Sequence, residues 1–208
     1  MAKPIFVWDF DGTLVESYAA IMEVLELIYA DYGWDFDAES VSRIILQTSI
    51  GQLLDSKATE YGLDAKSLKA RFMAEQEARD DQIVLMPDAK RVLEETRAQG
   101  IKHFIYTHKG ATTGAVLERL GIAQYFTEVV TAADGFARKP APDAMDYLVE
   151  KYGLDRQQVY YIGDRPLDRD FAVNSGVQSI NLVLPDGPEN IHIDSLSAIT
   201  ALPFFQEI

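Results

Sequence analysis

Ile5-Phe6-Val7-Trp8-Asp9-Phe10-Asp11-Gly12-Thr13 is the stretch whose reading decides the fold of this chain. Four apolar residues in a row read as a strand buried on both faces of a sheet. The run stops in two aspartates, one residue apart, followed by Gly-Thr. A buried strand has no structural use for carboxylates at its carboxyl end, because an unpaired buried charge is costly. In an open α/β sheet, however, that end is where ligands bind. Asp-Gly also marks hairpin turns, but nothing strand-like follows it. The next segment, Ser17 to Tyr32, carries apolar residues at Tyr18, Ile21, Met22, Leu25, Ile28, Tyr29 and Tyr32, which is the spacing of one helix face.

The whole chain narrows the classes of function. Its 208 residues can bury one core, or a core and a small accessory unit. The net charge of −14 opposes nonspecific binding to nucleic acid or to an anionic membrane, since both need a cationic surface. A small phosphorylated substrate remains compatible, because a local cation can override the global field. No apolar run reaches the length of a membrane span. Met1-Ala2-Lys3-Pro4 leads directly into the first strand, so no secretory leader is expected. With no cysteine there are no disulfides, thiolate metal sites or cysteine nucleophiles. The expectation is a cytoplasmic protein with no obligate protein partner.

Beyond Tyr32, helices are expected at about Glu39 to Leu46, Gln52 to Tyr61 and Asp64 to Asp80, with no strand between residues 16 and 84. After Pro87 the texture changes to alternation. Strands are expected at His103 to Thr107, Glu128 to Ala132, Val159 to Ile162 and Ser179 to Leu184, separated by helices. Gly100-Ile101, Gly121-Ile122, Gly153-Leu154 and Gly176-Val177 repeat one helix-ending device, a left-handed Gly followed by an apolar residue that folds back. Such alternation implies a doubly wound parallel sheet, a Rossmann-like α/β fold. Residues from Pro185 onward read as loop, with a short helix starting at Asp194. The expected organisation is a core of residues 1–15 and 86–208, with an inserted helical-bundle cap at 16–85. The insertion leaves from the loop that carries the aspartates, which predicts a lid over them.

The other strand ends supply matching chemistry. One ends in Thr107-His108-Lys109-Gly110, a hydroxyl and backbone N–H groups leading to a helix start, which suits a phosphate. A later loop holds Arg138-Lys139-Pro140, where the proline biases Lys139 towards an extended backbone. Another strand ends in Gly163-Asp164-Arg165-Pro166-Leu167-Asp168. Clustered carboxylates repel unless a cation sits among them, and oxygen ligands without His or Cys select a hard divalent ion, most naturally Mg²⁺. Mg²⁺ with a lysine, a hydroxyl and backbone N–H groups makes a cage for a phosphoryl group.

DFDGT, a strand-ending Thr, Lys-Pro and GDxxxD, in that order, resemble the haloacid dehalogenase-like superfamily. The helical insertion after the first motif resembles its helical-cap subgroup, which includes phosphoglycolate-phosphatase-like hydrolases and β-phosphoglucomutases. The resemblance implies strand order 5-4-1-2-3, with Asp9, Thr107, Lys139 and Asp164 around one crevice. It implies Asp9 as the nucleophile that forms an aspartyl-phosphate, its pKa lowered by Mg²⁺ and Lys139. It implies Asp11 as the general acid and then base, and as a metal ligand through its backbone carbonyl. Asp164 would complete the Mg²⁺ site, Gly12 and Thr107 would meet the phosphoryl group, and Asp168 would orient Lys139 or a metal-bound water. The carbon–halogen hydrolases of the family lack an aspartate at the Asp11 position, so its presence implies phosphoryl transfer.

Several residues carry two readings. His108 stands where phosphoglycolate-type members usually have Asn; it either touches the leaving group, titrating near neutrality, or faces solvent from a loop. Gly51, in Ser49-Ile50-Gly51 between two helices, sits where relatives place a substrate-facing loop. Arg43 and Lys57 either meet an anionic leaving group or form a solvated helix face. Arg165 reads as a surface or interdomain charge, His103 and His192 as structural, and Phe6, Trp8 and Tyr160-Tyr161 as core packing. The expected function is a Mg²⁺-dependent phosphatase of a small phosphorylated metabolite. The alternative is a phosphosugar mutase of the β-phosphoglucomutase type, against which Thr13 weighs, since such mutases often carry Val there. A catalytically silent binding module is disfavoured because each catalytic position holds the competent residue.

Overall fold

A computed structural model of the chain describes residues 3–206. Met1 and Ala2, on which part of the leader-free reading falls, lie outside the described residues, as do Glu207 and Ile208. The chain divides into two compact units, one made of residues up to Glu16 with those from Val84 onward, the other of Ser17–Ile83. In chain order, β1 (Ile5–Trp8) and β2 (Val15–Glu16) precede α1 (Tyr18–Tyr32), α2 (Ala38–Gln47), α3 (Ile50–Tyr61) and α4 (Ala65–Glu77). Then come β3 (Val84–Leu85), α5 (Ala89–Ala98), β4 (Lys102–Tyr106), α6 (Thr113–Arg119), β5 (Phe126–Val130) and α7 (Asp143–Tyr152). β6 (Val159–Gly163), α8 (Pro166–Asn174), β7 (Gln178–Asn181), β8 (Asn190–His192) and α9 (Pro203–Gln206) complete the chain.

The first unit is built on a six-stranded sheet of order β5-β4-β1-β6-β7-β8 in which every neighbouring pair is parallel. For the five strands anticipated from sequence this is the expected 5-4-1-2-3 order, read from the other edge. β8 is an addition: residues 190–192, read as loop, pair with β7 from Ser179 to Asn181. Three residues are too few for periodicity to show. β2 and β3 were missed for the same reason. They form an antiparallel pair, Val15 with Leu85 and Glu16 with Val84, where the chain leaves and re-enters this unit.

Alternation along β1 sorts the two faces of the sheet. Val7, Phe104, Tyr106 and Tyr161 pack with Ala144, Met145 and Leu148 of α7 and with Phe171 and Ala172 of α8. Phe6 and Trp8 point the other way, where Phe6 meets His103, Tyr160 and Phe204 edge to face. β1 is therefore buried on both sides, as its unbroken apolar run requires. The four Gly-apolar helix ends all close in the same way. Ile101, Ile122, Leu154 and Val177 each donate a backbone hydrogen bond back over the last turn, and all four side chains are buried.

The second unit is a four-helix cluster whose core includes Ile21, Leu25, Ile28, Val41, Ile45, Leu54, Leu68 and Phe72. Trp34 stacks between Tyr32 and Tyr61, with ring centroids 4.8 Å away on each side. Lys57 bonds Glu60 at 3.0 Å and lies over the rings of Tyr29, Trp34 and Tyr61, so its ammonium is engaged within its own unit. Arg43 is exposed on α2. Gly51 belongs to the first turn of α3 rather than to a loop, because Ser49 caps that helix by accepting from Gln52 N–H at 3.1 Å.

Candidate active site

β1 ends at Trp8, and the Asp9 N–H donates to Ile162 O at 2.8 Å, which ties the first residue past the strand to β6. Just beyond, Phe10 O accepts from the N–H groups of Leu14 and Val15, folding Asp11-Gly12-Thr13 into a tight turn. Gly12 sits there at φ 77°, a left-handed conformation that side chains rarely adopt. Its N–H donates to Val15 O at 2.9 Å. Asp9 is 1 % exposed and Asp11 partly exposed, so the pair divides into one buried and one half-buried residue. Thr13 is buried and donates its hydroxyl to Asp164 Oδ1 at 3.3 Å.

Lys139 comes to Asp9 from the loop after β5. Its ammonium has three N–H groups and three partners: Asp9 Oδ1 at 3.0 Å, Asp168 Oδ1 at 2.7 Å and the Tyr161 hydroxyl at 2.9 Å. That hydroxyl donates in turn to Tyr106 O at 2.8 Å. Tyr161 is thus more than the core packing expected of it; its apolar ring faces Phe171 while its oxygen holds the lysine. The peptide bond between Lys139 and Pro140 is cis.

Asp168 is the hub beneath this arrangement. Oδ1 accepts from Lys139, and Oδ2 accepts from the backbone N–H groups of Asp164 and Arg165 at 3.2 and 3.0 Å. It therefore caps the first turn of α8 and orients Lys139 with the same carboxylate. Burial pushes its pKa up, but Lys139, Arg165 and the N–H donors outweigh this and hold Asp168 low. Gly163 makes the approach possible. A Cβ there would lie 2.4 Å from Asp168 Cβ, so no side chain fits.

Arg165, expected as a surface or interdomain charge, is buried beside Asp9, with Nη2 3.2 Å from Asp9 Oδ2. Each oxygen of Asp9 thus faces its own cation. Burial is the strongest influence on Asp9 and raises its pKa, while Lys139 pulls it down as the sequence reading expected. Nothing in the local sequence marks Arg165 as inward-facing. It is aimed at Asp9 by the N-terminal turn of α8, where Pro166 occupies the first helical position.

His108 is partly buried and bonded to its neighbours rather than a solvent-facing loop residue. Nε2 accepts the Lys139 backbone N–H at 2.9 Å, and burial with the nearby cations of Lys139, Arg138 and Arg165 pushes its pKa far down. The ring is neutral across the physiological range, with Nδ1 carrying the proton. Thr107 is buried at the end of β4, and its hydroxyl oxygen accepts the Lys109 N–H at 3.0 Å, so that N–H is engaged inside the turn. His103 is structural, as expected, and lies between Trp8 and Thr96. His192 pairs with Asp194 at 3.1 Å, away from these residues in the chain.

Among the described residues, the carboxylate oxygens of Asp9, Asp164 and Asp168 come within 4.8 Å of one another, all three side chains buried. Three buried carboxylates brought together as an all-oxygen donor set fit a hard divalent cation.

A family model for haloacid dehalogenase-like hydrolases matches residues 6–182, so the chain belongs to that family. Within it, the chain is similar to the phosphoglycolate phosphatase of Aliivibrio fischeri, 29% identical over 196 residues that cover 86% of this chain and 83% of that protein. It is also similar to the phosphoglycolate phosphatase of Rhodospirillum rubrum, 28% identical over 216 residues covering 97% and 88%. A crystal structure of a hydrolase from Streptococcus pneumoniae is 30% identical, covers 86% of this chain and 92% of that one, and superposes with a TM-score of 0.58. The protein is accordingly a hydrolase of the phosphatase kind. No helix among the described residues is long and apolar enough to cross a membrane.

Proposed function

We propose that this phosphatase hydrolyses the monoester of a small phosphorylated metabolite through an aspartyl-phosphate on Asp9, with Mg²⁺ as cofactor. The observation that carries the reading is the environment of Asp9, a buried carboxylate with one oxygen 3.0 Å from the Lys139 ammonium. Asp9, Asp164 and the backbone carbonyl of Asp11 would hold the metal. Bound there, Mg²⁺ supplies the positive charge that lets a carboxylate approach a phosphoryl dianion.

The protein groups then divide the work. An Asp9 oxygen attacks phosphorus, and the ester P–O bond breaks. Asp11, the half-buried residue of the pair, gives its proton to the leaving oxygen. The Asp11 carboxylate next takes a proton from water, whose oxygen attacks phosphorus, releasing inorganic phosphate and regenerating Asp9. Because the Thr107 oxygen accepts from Lys109 N–H, its own O–H is available to donate to a phosphoryl oxygen. Lys139, anchored by Asp168 and Tyr161, keeps positive charge at the site while charge shifts from attacking to leaving oxygen. Gly12 and His108 line the two turns that flank this position. The helical unit, Ser17–Ile83, is read as the inserted cap of the family.

The test is phosphate release from a panel of phosphorylated metabolites with Mg²⁺, beside EDTA and Asp9→Asn controls. Phosphoglycolate leads the panel because the relatives carry that name; hexose phosphates and nucleoside monophosphates follow. Release that is lost in both controls supports the proposal. Release that survives EDTA or Asp9→Asn overturns the mechanism. Conversion of β-glucose 1-phosphate without phosphate release would assign a mutase instead.

A further inference from the structure

Arg165 has no part in the steps above, yet it occupies one side of the nucleophile. Its guanidinium Nη2 lies 3.2 Å from Asp9 Oδ2, and its Nε lies 3.7 Å from Asp168 Oδ2. The side chain is 10% exposed, so this is an interior ion pair and not a surface one. Lys139 is already bonded to the other Asp9 oxygen. Asp9 therefore has both oxygens paired with cations supplied by the chain itself.

The same carboxylate belongs to the cluster whose oxygens lie within 4.8 Å of one another. A divalent ion coordinated by Asp9 at about 2.1 Å would stand within about 5 Å of a guanidinium nitrogen still bonded to it. Two like charges at that separation inside a buried site repel strongly. The ion pair between Arg165 and Asp9 and the bond between a metal and Asp9 are thus competing ways of neutralising one carboxylate.

We propose that Arg165 is the counter-cation of Asp9 in the metal-free protein, and that divalent-cation binding displaces its guanidinium from that carboxylate. This inference rests on the reading of Asp9 as a metal ligand. It assigns Arg165 a defined role: without metal it keeps a buried carboxylate from standing unpaired, and it sets how tightly the metal binds. The fold suits such an exchange because only the side chain has to move. The Arg165 N–H is held by Asp168 Oδ2 at 3.0 Å and its C=O by Asn181 Nδ2 at 3.0 Å. Those main-chain contacts persist whatever side chain stands at 165.

Calorimetric titration of Mg²⁺ into wild type, Arg165→Gln and Arg138→Gln tests the exchange. Arg138 lies on the exposed loop beside Lys139, so its removal controls for loss of one positive charge nearby. Arg165→Gln should bind Mg²⁺ about fivefold tighter or more, while Arg138→Gln stays within about twofold of wild type. Without Mg²⁺, Arg165→Gln should melt below wild type, and saturating Mg²⁺ should close that gap. Equal affinities for wild type and Arg165→Gln, weaker binding by the variant, or the same gain in both variants would each overturn the inference. Absence of Mg²⁺ binding in all three proteins would overturn the metal reading with it, which separates the two failures. Should Arg165→Gln not fold, Arg165→Met, which keeps the apolar stem, takes its place in the same titration.

Discussion

The Lys139 ammonium lies 2.7 Å from Asp168 Oδ1, closer than to Asp9 Oδ1 at 3.0 Å. The lysine is therefore held from behind by a carboxylate that itself caps α8, and its position depends on the start of that helix. Asp168→Asn retains the shape but offers a single acceptor oxygen, which cannot serve both Lys139 and the two backbone N–H groups. We expect kcat for phosphate release to fall about 100-fold with a smaller change in KM. Asp168→Ala should also cost about 3–5 kcal/mol of stability, because it leaves the buried Lys139 and Arg165 short of a partner. Unchanged kcat in Asp168→Asn would show that Lys139 needs no such support.

Gly163→Ala tests the same support from the strand side. The added methyl would overlap Asp168 Cβ and Cγ, at 2.4 and 2.6 Å, and must push the carboxylate off Lys139. Overpacking of this kind costs about 1–3 kcal/mol. Urea melts should show that loss, and kcat should fall as in Asp168→Asn. A fully active, equally stable Gly163→Ala would contradict the geometry.

His108 should be silent to pH. Its Nε2 is occupied by the Lys139 N–H, and burial holds its pKa far below the ordinary value. The ring C–H resonances of His108 are therefore expected not to shift between about pH 5 and pH 8 in proton NMR. His108→Asn should leave the shape of the pH–rate profile intact. A resonance moving with a midpoint near neutrality would restore the titrating histidine that composition alone suggests.

His103 should make stability depend on pH. It is buried, accepts the Trp8 indole N–H at Nδ1 at 3.0 Å and meets Thr96 Oγ1 at 3.1 Å through Nε2. Burial, with a smaller push from Arg97, takes its pKa from 6.5 to about 3. A base whose pKa is lowered on folding binds its proton more readily when unfolded. Its contribution is complete above about pH 6.5 and is lost as pH falls towards 3. The full loss is on the order of 5 kcal/mol. His103→Gln keeps an acceptor for Trp8 but no titration, so the fall in melting temperature between about pH 6.5 and pH 4 should flatten. An unaltered slope would mean that other groups govern acid unfolding.

Much of this protein can be read along the chain. The apolar run of β1, the Gly-capped helices and the strand alternation specify the parallel sheet, whereas its strand order was implied by the family resemblance. Each is a local pattern repeated enough times to be recognised. The aspartates, Thr107, Lys139 and the Gly-Asp of β6 were legible because carboxylates and a lysine at buried strand ends have no cheaper explanation. The short pairings β2–β3 and β7–β8 were not legible, being two and three residues long.

What tertiary structure alone decided is where ambiguous polar side chains point. Arg165 and Tyr161 look like an ordinary surface charge and an ordinary core ring. Only the parallel register of β1 with β6, which sets Trp8 beside Ile162, brings the end of β6 and the start of α8 against Asp9. His108 and His103 are the same residue type, yet one accepts from a loop backbone and the other from an indole. The sequence by itself determined the fold and the chemical types gathered at one sheet edge, since both follow from local pattern and composition. Which cation faces which carboxylate oxygen, and which imidazole stays neutral, came from long-range packing, because those depend on distances and burial between residues as far as 156 positions apart in the chain.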